Sequence, residues 1–225
     1  MNILQELEEF INNFNSSNDE DFSIDSIRVE FSKQYKLSQL QEIGKWIKIK
    51  SNSPLIPKLK KRLLEDEVTS AYRYEKENIY YYNSNKDKPK YRKAVLVIFG
   101  IKQYHKDIPP RGVIKSILQI MKDVSSIDVC LDLPYKPNIE ALKQHFAITP
   151  YITSTGVATG TAYINDTGTP MLDKIIFYNK AFKNGLQGTL WRIEATISIP
   201  NFRALALPLY EFKQITDIAR RNSHD

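Results

Sequence analysis

Between Leu172 and Ile199 apolar and polar residues alternate so regularly that the segment suits a half-buried sheet. Residues 174–180 and 190–197 read as two strands joined by a short connection carrying Asn184-Gly185 and Gly188. Successive strand side chains point to opposite faces. Ile175 and Phe177 therefore share one face, and Lys174, Ile176, Tyr178 and Lys180 share the other. In the second strand Trp191, Ile193, Ala195 and Ile197 form a core-facing row, and Arg192, Glu194 and Thr196 a polar one. One side of this sheet can thus carry a phenol, two lysines, a guanidinium and a carboxylate while its other side is buried. That set of groups suits work on a phosphodiester.

A third strand fits the same sheet. In residues 126–133, Ile127, Val129, Leu131 and Leu133 share one face and Asp128, Cys130 and Asp132 the other. Carboxylates on a largely apolar strand need partners, since an unpaired buried charge is costly. Metal coordination would supply them, and so would a salt bridge to Arg192 or Lys180.

The rest of the chain supplies helices and further strands. Ile3, Leu4, Leu7, Phe10, Ile11 and Phe14 fall at helical spacing, and the polar run 15–21 reads as a linker. This divides the chain into an N-terminal helix and linker, residues 1–20, and one domain, residues 21–225. Ile27, Val29 and Phe31 alternate with polar residues as a strand. Ser38 with Gln41 predicts a capped helix through Leu40, Ile43, Trp46 and Ile47. A short basic helix to about residue 67 follows Pro54 and Pro57, and strands over 69–82 and 91–101 flank a polar loop at 83–90. Helices are expected after Pro109-Pro110, after Pro137 and beyond Pro200, and one or two strands over 151–165. The expected architecture is α+β, a mainly antiparallel sheet of five or more strands with helices packed on one face.

Composition narrows the function classes. Lys and Arg number 32 against 26 Asp and Glu, a formal charge of +6 that favours polyanionic partners. Much of the excess crowds into residues 58–106, including Lys86, Lys88, Lys90 and Arg92. The loop there either tracks a nucleic-acid backbone or keeps the surface solvated. Tyr72, Tyr74 and Tyr80-Tyr81-Tyr82 either pack a strand or stack unpaired bases. A single cysteine excludes an internal disulfide, and three scattered histidines argue against a zinc site. No apolar run is long enough to span a bilayer and the start lacks a secretion-signal layout, so a cytoplasmic protein is expected.

Three segments in order, Ile127-Asp128-Val129-Cys130-Leu131-Asp132, Ile176-Phe177-Tyr178-Asn179-Lys180 and Trp191-Arg192-Ile193-Glu194-Ala195, resemble the rolling-circle replication initiators of small plasmids and filamentous phages, the Rep-trans or replication initiation factor type. The resemblance covers residues 126–199, about a third of the chain. It implies a site-specific DNA nicking and joining endonuclease. In that family a tyrosine attacks one strand at the origin, keeps a 5′-phosphotyrosine link and frees a 3′ hydroxyl. Matched by position, Tyr178 is the nucleophile, Lys180 and Arg192 favour its phenolate, and Asp128, Asp132 and Glu194 are ligands for Mg²⁺ or Mn²⁺. Residues four apart on a strand lie roughly 13 Å from each other along it. Asp128 with Glu194 is therefore the favoured ligand pair, unless the strand bulges. Lys86, Lys88, Lys90, Arg92 and Lys174 are the expected DNA contacts. The implied partners are single-stranded or hairpin origin DNA, a host helicase and a second copy of the chain. A non-catalytic DNA-binding protein on the same fold is the alternative. The chain departs from the family at Ala181-Phe182-Lys183, where many members carry a glutamate, and in lacking paired histidines.

Overall fold

The structure, a computed structural model, describes residues 2–63, 70–83, 93–200 and 204–221. They group into two compact units, residues 1–10 with 25–125 and residues 11–24 with 126–225. The chain runs α1 (Ile3–Asn18), β1 (Ser23–Ser32), α2 (Lys33–Ile43), β2 (Trp46–Ile49), α3 (Leu55–Leu63), β3 (Ser70–Tyr74), β4 (Ile79–Asn83), β5 (Lys93–Ile98) and α4 (Arg111–Met121). It continues through β6 (Ser126–Leu133), α5 (Ile139–Leu142), β7 (Thr149–Ile152), β8 (Ala158–Ile164), β9 (Leu172–Asn179), α6 (Lys180–Asn184), β10 (Trp191–Ser198) and α7 (Ala206–Arg220). The expected class, α+β with a mainly antiparallel sheet, is what the structure shows.

In the first unit the strand order is β2-β3-β4-β5-β1, with antiparallel neighbours throughout. Tyr80, Tyr82, Val95 and Val97 point to one face and form a core with Leu59 of α3. The alternate residue Tyr81 points the other way, where its ring stacks on Tyr72 and meets Trp46, whose indole N–H donates to the Leu40 carbonyl of α2. Helices in this unit are thus shared between two faces. Trp46 and Ile47, expected to continue a helix, lie in β2, because α2 ends at Ile43 just before Gly44. The long strand expected at 69–82 is a hairpin, broken where Glu75 adopts a left-handed φ of 44°.

The Tyr81 hydroxyl is buried with no hydrogen-bond partner among the described residues. Burial, with a smaller contribution from Tyr72, pushes its pKa far above the ordinary phenol value. Tyr81→Phe is expected to raise stability by about 1 kcal/mol at neutral pH by removing an unsatisfied buried group. Because the folded pKa exceeds the unfolded value of ~10, the wild type loses stability as pH rises above that value and the variant loses less. Urea unfolding at neutral pH and above ~10 measures both effects. An unchanged midpoint at both would remove this account of Tyr81.

In the second unit the strand order is β6-β10-β9-β8-β7, again antiparallel. Ile127, Val129, Ile175, Phe177, Ile193 and Ala195 are buried as the alternation requires, and α7 lies against β9 and β10 with Leu209, Phe212 and Ile215 buried. The polar run expected to be a linker is partly helix. The side chain of Asn15 both donates to and accepts from the Phe22 backbone, which orders the turn after α1. Phe14 then meets Tyr210 and Phe22 meets Phe212, so this end of the helix is part of the core. The Glu20 carboxylate, 1% exposed, is satisfied by Arg220 and Lys213 of α7. No helix among the described residues is long and apolar enough to cross a membrane.

Candidate active site

Strand register brings the polar residues of β6, β10 and β9 onto one face. Arg192 stands between Asp132 of β6 and Tyr178 of β9, Glu194 between Cys130 and Ile176, and Thr196 between Asp128 and Lys174. Directly opposed residues point the same way and diagonal neighbours lie within reach of long side chains. The Tyr178 hydroxyl uses such a diagonal and donates to Glu194 Oε2 at 3.0 Å. Thr196 donates its hydroxyl to Asp128 Oδ1 at 2.8 Å. The phenol and all three expected acids therefore share one face.

Arg192 departs from the role expected of it. Its guanidinium is 0% exposed, and its Nε and Nη2 both donate to the Asp132 carboxylate at 2.6 Å. A planar fork facing a carboxylate is the strongest geometry available to the pair. It ties β6 to β10 and occupies both oxygens of Asp132. Of the partners the sequence allows for Asp132, a metal ion, Arg192 or Lys180, the structure supplies Arg192. Arg192 thereby holds the register of the strand that sets Glu194 diagonal to Tyr178.

Lys180 also differs from expectation. The second half of Ile176-Phe177-Tyr178-Asn179-Lys180 leaves the strand: the Asn179 side chain accepts from the Phe182 N–H and caps α6, which closes at Gly185 with a φ of 66°. Lys180 is the first residue of that helix and is buried, with its backbone N–H donating to Leu190 O at 2.7 Å. The turn brings Lys183 back over the phenol, its Nζ 4.2 Å from the centre of the Tyr178 ring. A cation on an aromatic face is attracted by the ring's negative potential. Lys183 is the neighbour that strand alternation misses. Asn179 and Gly185, a cap and a helix stop flanking the five residues of α6, are the signal that points to it.

Tyr178 itself is 7% exposed, while Asp128, Lys174 and Glu194 are half-buried on the same face. Lys86, Lys88, Lys90 and Arg92 lie outside the described residues. Among the described residues no group of three or more His, Cys, Asp or Glu side chains could hold a metal ion. A hard, hydrated ion such as Mg²⁺ needs only one or two carboxylates when a phosphate completes its shell. Asp128 and Glu194, diagonal across β6 and β10, fit that lesser requirement, whereas Asp132 does not. No family model matches the chain, and no curated protein matches it.

Proposed function

We propose that the protein is a cytoplasmic replication initiator of a small replicon, which nicks one DNA strand at an origin by attack of Tyr178 and later rejoins it. The observation that carries this reading is the hydrogen bond from the Tyr178 hydroxyl to Glu194 Oε2 on an acid-bearing sheet face. A phenol near ~10 needs a base or a cation to react at neutral pH. Glu194 is within the reach required of a general base, and the Lys183 ammonium over the ring favours the phenolate. In the first step the Tyr178 oxygen forms a bond to phosphorus and the P–O3′ bond breaks. The phenol proton passes to Glu194 and on to the departing 3′ oxygen. Glu194 thus acts as proton acceptor first and as a ligand only in company with Asp128. Mg²⁺ or Mn²⁺, when bound there, would neutralise charge on the scissile phosphate. Lys174, on the same face, would contact the DNA backbone. A host helicase and a second copy of the chain are the further partners of this reading.

Incubation with single-stranded or hairpin origin DNA and Mn²⁺ or Mg²⁺ tests it. A protein–DNA band that survives denaturing electrophoresis is expected, and its absence with either ion overturns the reading. The burial of the phenol, 7% exposed, favours a second reading, a DNA-binding protein that does not cut. Salt-sensitive binding without the denaturation-resistant band would identify it.

A further inference from the structure

The second unit contains a cavity of about 580 Å³, a size typical of small-ligand sites. It does not belong to the phenol's face. Its floor is β8, where Ala162 stands opposite Phe177, so the cavity opens on the side of the sheet that α7 covers, away from Tyr178. Gly160 keeps the floor low: with a φ of +75° it carries no side chain, and a Cβ there would come 3.6 Å from the Trp191 ring.

The walls are built rather than incidental. Asn138 ties the start of α5 to the end of α7 at the rim. Its backbone N–H donates to Ala219 O of α7 at 2.7 Å, its side-chain amide to Arg221 O at 3.2 Å, and its side-chain oxygen accepts from Ala141 N of α5 at 3.1 Å. Held on these walls are two cations, Lys136 and Arg221, that form no salt bridge among the described residues. Lys136 Nζ sits 5.8 Å from the centre of the Trp191 ring. Two aromatic rings line the cavity itself, Tyr135, 44% exposed, and Tyr151, half-buried.

Uncommitted cations beside accessible aromatic faces, around a space of this size, match a ligand with an anionic group and a flat ring. We propose that this cavity binds a nucleotide unit of single-stranded DNA, its phosphate held by Lys136 and Arg221 and its base stacked on Tyr135. Stacking on an aromatic face tolerates any base, and phosphate contacts carry no sequence information. The cavity is therefore a grip on the strand and not a reader of the origin. Tyr151 also meets Tyr163, which stands opposite Ile176 on the phenol's face.

Quenching of Trp191 fluorescence in a Trp46→Phe background, on titration with short oligothymidylate and separately with thymidine 5′-monophosphate, tests the proposal. Saturable quenching by the oligonucleotide is expected. Lys136→Gln with Arg221→Gln, and separately Tyr135→Ala, should each weaken binding on the order of tenfold. All three side chains are at the surface, so the fold should survive the changes. An affinity unchanged in both variants, or no quenching by the oligonucleotide, overturns the proposal. Quenching by the mononucleotide as well would show that the cavity holds the unit without its neighbours, which supports it. Tyr178→Phe should bind as the wild type does, so failure of this grip and failure of the nicking reading are separate results.

Discussion

Asp132→Ala should destabilise the protein by about 3–5 kcal/mol, the range for removing one partner of a buried ion pair. The guanidinium left behind is 0% exposed and would lose two charge-assisted bonds at 2.6 Å. Water cannot easily replace them in the middle of a packed sheet. Exchanging both partners for apolar residues, Asp132→Leu with Arg192→Met, should cost much less, because no charge is stranded. Denaturant unfolding of the single and double variants measures this directly. A single variant within about 1 kcal/mol of wild type would mean that the arginine is not held as described.

The second large effect concerns chemistry. Tyr178→Phe is expected to abolish the denaturation-resistant protein–DNA band while leaving salt-dependent binding intact, since only the attacking oxygen is lost. Glu194→Gln keeps the size and the hydrogen bond but removes the basic carboxylate. It should slow adduct formation by about 10²–10⁴-fold, the usual contribution of a positioned general base. An adduct that persists in Tyr178→Phe would assign the attack to another group. A Glu194→Gln rate equal to wild type would reduce that residue to a packing partner of the phenol.

The sheet face was legible from alternation alone. Placing Tyr178 and Glu194 on one side and Phe177 and Ile193 on the other requires only that both segments be strands, and the observed register agrees. Alternation could not say which acid meets which base. Asp132 and Asp128 look alike in a strand reading, and only cross-strand register gives one to Arg192 and the other to Thr196. Lys180 and Lys183 were hidden for a different reason: α6 is too short for helical periodicity, so its existence depends on a cap and a stop. The N-terminal polar run misled because composition reports solubility, whereas the two Asn15 bonds to Phe22 order that segment locally.

Tyr178 is the penultimate residue of β9, and the capped turn of α6 begins two positions later. A phenol mounted there has no tether. Under the proposed chemistry the captured 5′ end would be pinned to the framework, unable to swing away with a floppy arm. Separating the broken ends, and bringing a new 3′ end into line for resealing, would then fall to the motion of the DNA or of whatever unwinds it.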